Sequence, residues 1–149
     1  MSLKEDLEKS LLSAMREKND VRKNALRMAL SSIKLAEIES GKALDDSMIF
    51  SILQKEIRTK EETIAEAEKA NRPEMIPPIK SEIEILKEYL PKEMSEEELI
   101  VLVKKTVSDL NATTIKEMGL VMKTVIQEAQ GKASNERISK AIRDQLSNN

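Results

Sequence analysis

The chain has 149 residues, of which 40% are hydrophobic and 35% charged, enough for one compact domain or two small ones. It contains neither Cys nor His, which excludes disulfides, thiolate chemistry, imidazole bases and the usual transition-metal sites. With 25 basic and 27 acidic residues the formal charge is −2, so any nucleic-acid contact must come from a local basic patch. One Phe, one Tyr, no Trp and only three Gly favour helices over strands.

The first two helices are predicted to form a hairpin. Ser2, three residues before Glu5, has the spacing of a helix cap, and apolar residues then recur every four positions. Asp20 is predicted to cap the second helix. Gly41 is predicted to end it, because glycine readily takes the left-handed conformation that closes a helix.

The third helix is predicted to be long. Asp45 and Asp46 supply its cap, and its apolar stripe runs to about Ala70. Residues 58–63 are all polar, although one inward position is expected among them. We interpret that end of the helix as solvated.

Prolines divide the rest of the chain. Pro77 and Pro78 fit only the first turn of a fourth helix, which Pro91 is predicted to stop. We therefore expect an all-α protein with an N-terminal domain of about four helices over residues 1–91. A small three-helix C-terminal domain is expected over residues 95–149.

Capping spacings mark the three helices of the second domain. The predicted N-terminal caps are Ser95 with Glu98, Thr114 with Glu117, and Ser134 or Asn135.

Adjacent acidic residues are the first candidates for acid/base or cation chemistry. Asp45 with Asp46 and the run at 96–98 stand at predicted helix starts, where capping explains them. Glu61 with Glu62 fits a solvated face. No glycine-rich phosphate loop or nucleophile turn is present in the sequence, so we expect no catalytic residue, no metal site and no cofactor.

Basic residues cluster around the first hairpin and on the last two helices. Each cluster is either a solvated helix surface or a set of phosphate contacts. The first group is Arg16, Lys18, Arg22, Lys23 and Arg27, and the second is Lys123, Lys132, Arg137, Lys140 and Arg143. Because the chain has almost no aromatic platforms for stacking bases, an RNA partner is expected to be a folded RNA recognised by shape and backbone.

Gly119 is unusual because a helical glycine costs about 1 kcal/mol relative to alanine. It predicts a neighbour that approaches closely, which is either another helix of the same domain or a bound partner. Gly131 is predicted to form a turn.

Short motifs along the chain carry a family resemblance. They are Tyr89-Leu90-Pro91, residues 94–99 (MSEEEL), Met118-Gly119-x-Val121-Met122 and Gly131-Lys132-Ala133, with Leu26-Arg27-Met28 and Ala70-Asn71-Arg72 upstream. In their order and spacing the chain resembles the GatB/YqeY family over nearly its whole length, as in stand-alone YqeY-like proteins. It departs from the usual tail pattern at Lys123, at Gln127-Glu128 and at Ser134-Asn135.

The resemblance implies a C-terminal domain similar to the tail of the B subunit of the tRNA-dependent amidotransferase. That enzyme converts glutamate or aspartate, already attached to tRNA, into glutamine or asparagine. Its tail contacts tRNA, whereas activation and amide transfer belong to other parts. We therefore predict a non-catalytic accessory protein that binds tRNA or a tRNA-handling protein complex of aminoacylation or amidation.

The predicted sites follow from this resemblance and from the basic residues. Lys123, Lys132, Arg137 and Lys140 are assigned to RNA binding, Gly119 to close approach and Gly131 to the turn. The alternative is a helical protein–protein adaptor with no RNA role, and a remote one is carbon–nitrogen ligase activity with glutamine as amido donor.

The start of the chain is acidic, and no apolar run is long enough for a membrane span. From this we predict a cytoplasmic protein with no membrane partner.

Overall fold

A computed structural model describes residues 2–147, which form seven α-helices, two short 3-10 helices and no strand. The all-α prediction is confirmed. The α-helices are α1 (Leu3–Arg16), α2 (Asp20–Ser40), α3 (Asp46–Lys69), α4 (Ile76–Lys87), α5 (Glu96–Asp109), α6 (Met118–Ala129) and α7 (Asn135–Ser147), and the 3-10 helices are Pro73–Met75 and Ile115–Glu117. The chain divides between Leu90 and Pro91 into an N-terminal and a C-terminal unit.

The N-terminal unit is built by α1 to α4 around an aliphatic core. Its fully buried side chains include Leu7, Leu26, Ile33, Leu53 and Leu86. Near the start of α1, Lys4 pairs with Glu37 near the end of α2 at 2.7 Å, so the two helices form the predicted hairpin.

Three helix boundaries of this unit follow the predicted local chemistry. The Ser2 hydroxyl accepts a hydrogen bond from the Glu5 amide at 3.2 Å, and the Asp45 carboxylate accepts one from the Met48 amide at 2.9 Å. Gly41 ends α2 with φ 73°.

Two predicted boundaries of the N-terminal unit are wrong. The side chain that caps α2 belongs to Asn19, which accepts from the Arg22 amide at 3.1 Å, while Asp20 is already helical. The fourth helix ends at Lys87 rather than at Pro91, and residues 88–90 continue it only as turns.

The polar stretch at 58–63 of α3 contains a buried lysine. Lys60 is 8% exposed, and its Nζ lies 3.0 Å from Oε2 of Glu82 on α4. The inward position is therefore filled by an ion pair between helices. The interpretation of this end as solvated is wrong at Lys60.

The C-terminal unit packs α5, α6 and α7 on one another. Its fully buried side chains are Leu99, Val103, Val121, Val125, Ala129, Ile138 and Ile142. Ser95 and Glu98 form the predicted capping box, and the Ser134 hydroxyl accepts from the Arg137 amide at 3.2 Å.

The predicted cap at Thr114 is wrong. Thr114 makes no capping hydrogen bond, and a short 3-10 turn precedes α6. The Glu117 carboxylate accepts from the amide of Thr113 at 3.1 Å instead, so it closes the loop before the turn.

Along residues 2–147, no helix combines the length and the apolar character needed to cross a lipid bilayer.

Candidate nucleic-acid interface

The face of α6 opposite the core carries positive charge and no carboxylate. Val121 and Val125 are buried, whereas Gly119, Lys123 and Gln127 follow one another every four residues on the exposed side. Lys116, in the 3-10 turn directly before α6, is exposed three residues ahead of Gly119. We call Lys116, Gly119, Leu120, Lys123 and Gln127 the α6 face.

Both lysines of the α6 face are free of acidic partners. Neither Lys116 nor Lys123 forms an ion pair within the part of the chain that the structure describes. The exposed Glu128 lies one position beyond Gln127, turned away from this row by the helical repeat. Unpaired lysines of this kind can neutralise the phosphates of a nucleic-acid backbone.

Gly119 is open to solvent. A Cβ built on Gly119 meets nothing within 4 Å beyond its own helix backbone and chain neighbours. The prediction that another helix of the same domain approaches Gly119 is therefore wrong. The alternative of a bound partner stays a prediction.

The turn between α6 and α7 holds Lys132 by its main chain and leaves its side chain exposed. Gln130 and Gly131 both have left-handed backbone conformations, with φ 49° and 79°. The Lys132 carbonyl accepts a hydrogen bond from the Met94 amide at 2.8 Å. The Lys132 ammonium is thus presented from a fixed backbone.

Arg137 differs from the other predicted RNA-binding residues because its guanidinium is already bonded. It donates to the Met94 carbonyl at 3.0 Å and lies 3.4 Å from Oε2 of Glu96. These contacts make Arg137 a residue that positions the segment before α5.

Lys140 lies on a mixed face of α7. Glu136 and Asp144 stand one turn before and one turn after it, and all three side chains are exposed. The field of these carboxylates opposes phosphate binding at Lys140.

The predicted basic group of the N-terminal unit is partly used for packing. Arg22 donates to Glu88 at 2.7 Å and to the Tyr89 hydroxyl at 2.8 Å, and Lys23 pairs with Asp20 at 3.3 Å.

The acidic residues that were candidates for acid/base or cation chemistry instead bond to backbone amides or pair with neighbouring basic side chains. Asp46 accepts from the amide of Leu3 at 3.2 Å, and Glu62 pairs with Arg58 at 3.3 Å. Over residues 2–147, acidic side chains do not gather in threes as metal ligands would.

Comparison with known proteins decides the family. The family model described as "Yqey-like protein" matches residues 4–146. The chain belongs to the YqeY-like family. The resemblance read from the motifs is thereby confirmed, including the relation of this family to the GatB tail.

Curated relatives of this YqeY-like protein are fungal and share one name, "Altered inheritance of mitochondria protein 41, mitochondrial". The protein from Lachancea thermotolerans is 39% identical over 90 residues, covering 60% of this chain and 46% of its own length. The protein from Vanderwaltozyma polyspora is 30% identical over 146 residues, covering 91% of this chain and 77% of the relative. A relative from Pyrenophora tritici-repentis is 28% identical over 142 residues. The chain thus spans less than half of the first of these relatives.

The prediction of a cytoplasmic protein is contradicted by these relatives, whose names place them in mitochondria. It rested on charge and hydropathy. Both compartments are aqueous, so the surface of a folded helical protein carries little information that separates them.

Three residues of the α6 face were not among the predicted sites: Lys116, Leu120 and Gln127. Of these, only Lys116 is charged. Lys116 precedes Gly119 by three residues and Lys123 by seven, so a helical repeat extended back from Lys123 would have found it.

Proposed function

We propose that this YqeY-like protein is a non-catalytic accessory protein that binds folded tRNA through the α6 face of its C-terminal unit. The supporting observation is the pair of uncompensated lysines, Lys116 and Lys123, flanking an open Gly119. The family relation to the amidotransferase tail supports tRNA as the RNA class.

The two lysines contact successive phosphates in this proposal. Seven residues of helix separate them, which corresponds to about 10 Å along the axis. That distance is within reach of neighbouring phosphates once the flexible side chains extend. Gly119 lies between them without a side chain, so the RNA backbone packs directly on the helix.

Lys132 adds a third phosphate contact from the turn after α6. Lys140 contributes less, because Glu136 and Asp144 flank it. Arg137 acts indirectly by fixing Met94 and with it the start of α5.

Filter binding of the full chain to folded tRNA at two salt concentrations tests the proposal. Wild type is expected to bind at low salt and to weaken as salt rises, because bound phosphates release counterions. The variant K116E/K123E is expected to bind at least about tenfold more weakly, with a salt slope smaller by roughly two.

The matched control is K42E/K55E, which reverses two exposed and unpaired lysines of the N-terminal unit. It carries the same net charge as K116E/K123E and is expected to retain most of the affinity. Absence of binding at low salt would contradict tRNA binding itself. Equal losses in the two double variants would contradict the α6 face as its site.

A further inference from the structure

The N-terminal unit carries an unpartnered stripe on α2. Val21, Met28, Leu35 and Ile38 are exposed by 40, 52, 57 and 69%, and the exposed Asn24 and Ser31 fill the positions between them. The six residues follow the alternating three- and four-residue spacing of a helix seam. We call them the α2 stripe.

The α2 stripe lies outside the core of its unit. The opposite side of α2 buries Ala25, Leu26, Ala29 and Ile33. On one flank Glu37 pairs with Lys4 of α1, and on the other Ser32 donates to Glu56 of α3 at 2.6 Å. Neighbouring helices therefore occupy the sides of α2 and leave the stripe open.

Positive charge runs along one edge of the α2 stripe. Arg27 and Lys34 are exposed, seven residues apart, and adjacent to Met28 and Leu35. Neither forms an ion pair within residues 2–147. The stripe thus combines an apolar seam with an unsatisfied basic border.

The N-terminal end of the stripe opens into a groove of about 450 Å³ between the start of α2 and α4. Val21 belongs both to the groove and to the stripe, and Ile85 of α4 supplies a second apolar side chain. Lys80 and Glu84 stand at the groove. The apolar surface therefore continues from α2 onto α4.

We propose that the α2 stripe binds an amphipathic helix of a partner protein, with acidic residues beside its apolar seam. The seam spacing fits a helix packed side by side on α2, and its length from Val21 to Ile38 is about 25 Å, or nearly five turns. Carboxylates of the partner pair with Arg27 and Lys34, which sets the orientation and the choice of partner.

Charge disfavours an antiparallel second copy of this chain as the occupant. In an antiparallel pair of α2 helices, Arg27 of one copy faces Lys34 of the other at two symmetrical places in the middle of the seam, and like charges in register oppose association. A partner bearing Glu or Asp at the equivalent positions replaces this repulsion with attraction.

The experiment uses two designed helical peptides of about five turns with identical leucine seams. One carries glutamate beside the seam and the other lysine. Binding of each fluorescent peptide to the full-length protein is measured by anisotropy at low and moderate salt. The acidic peptide is expected to bind at least about tenfold more tightly than the basic one. The ratio of the two affinities should shrink as salt rises.

Two protein variants make the result specific to this surface. R27E/K34E is expected to reverse the preference between the peptides, and M28D/L35D to abolish binding of both. All four side chains are exposed, so helicity by circular dichroism should stay at the wild-type level. K55E on α3 is the single-charge control and should bind like wild type.

Equal affinity for both peptides, or binding that persists in M28D/L35D, would overturn the proposal. Sedimentation of the protein alone provides a separate criterion, because dimers that M28D/L35D dissociates would make a second copy the occupant. Failure of tRNA binding would leave this inference standing, because the two surfaces share no residue.

Discussion

The guanidinium of Arg137 donates a hydrogen bond of 3.0 Å to the main-chain carbonyl of Met94, 43 residues earlier in the chain. The Met94 amide donates to the Lys132 carbonyl at 2.8 Å. Both polar main-chain groups of Met94 are therefore held by the region around the α6–α7 turn. The start of α5 and the position of Lys132 are fixed together by these two bonds.

Replacing Arg137 with glutamine should loosen this segment. Loss of a charged donor to a partly buried carbonyl is expected to cost about 1–2 kcal/mol of local stability. Hydrogen exchange at the Met94 amide measures it directly, because that amide should exchange faster in R137Q while the middle of α5 stays protected.

Glu96→Gln is the control for the Arg137 prediction. Its ion pair with Arg137 spans 3.4 Å and its side chain is 67% exposed, so its loss should cost less than about 0.5 kcal/mol. Equal acceleration of Met94 exchange in E96Q and R137Q would mean that the ion pair, and not the carbonyl bond, holds the segment.

The ion pair between Lys60 and Glu82 gives a second prediction. Removing the charge in E82Q leaves the nearly buried ammonium of Lys60 without its carboxylate, which should lower the unfolding free energy by about 1–3 kcal/mol. Urea denaturation at neutral pH measures the change.

The double variant K60M/E82M tests why the single change is costly. Removing both charges leaves none unpaired, so its stability should lie within about 1 kcal/mol of wild type. If E82Q is as stable as wild type, the Lys60 ammonium must reach water in that variant, and burial then does not control its energy.

Local chemistry made some parts of this structure predictable from sequence. The caps at Ser2, Asp45 and Ser95 depend on an amide three residues away, so a short window of sequence contains all the information. The helical core follows in the same way, because apolar residues repeat with the period of the helix.

Contacts between residues far apart in the chain could not be predicted from the sequence. The partner of Lys60 lies 22 residues away on another helix, and that of Arg137 lies near the start of α5. A lysine on a solvated face and a lysine in an interhelical ion pair have the same local pattern. Local sequence likewise does not separate Arg137 from Lys123 and Lys132. What separates it is the bond of its guanidinium to the Met94 carbonyl.

The carboxylate of Glu37 predicts how stability depends on pH. It accepts hydrogen bonds from Lys4 at 2.7 Å and from the Leu44 amide at 3.2 Å, and these donors lower the pKa of Glu37. The same bond to Glu37 raises the pKa of Lys4. Stability from Glu37 is therefore present above the pKa of the unfolded chain and is lost as pH falls through the folded value. The contribution of Lys4 has the opposite sense and is lost as pH rises through its raised pKa.

Comparison of wild type with E37Q isolates the acid side. The stability difference between them should be constant in the neutral range and should shrink below about pH 4.5. Urea denaturation across that range measures it, and K4M should retain a weaker dependence because the Leu44 amide still favours the charged Glu37. A difference that persists unchanged to strongly acidic pH would show that Glu37 stabilises the fold by packing and not by its charge.

Substituting Gly119 by alanine separates the stability of α6 from its proposed role. Because the added methyl group meets nothing within 4 Å outside its own helix backbone and chain neighbours, G119A should raise the unfolding free energy by about 0.5 kcal/mol. This is somewhat less than in a helix interior because Gly119 lies in the first turn.

The methyl group of G119A would stand between α6 and a closely packed RNA backbone, so tRNA binding should weaken. The salt slope should stay at the wild-type value, because no charge has changed. S108A on α5 is the control, since it also gains helix propensity at an exposed position but lies outside the α6 face. A more stable G119A that binds tRNA as tightly as wild type would show that the RNA does not approach this glycine, whereas a less stable one would contradict the open surroundings of the residue.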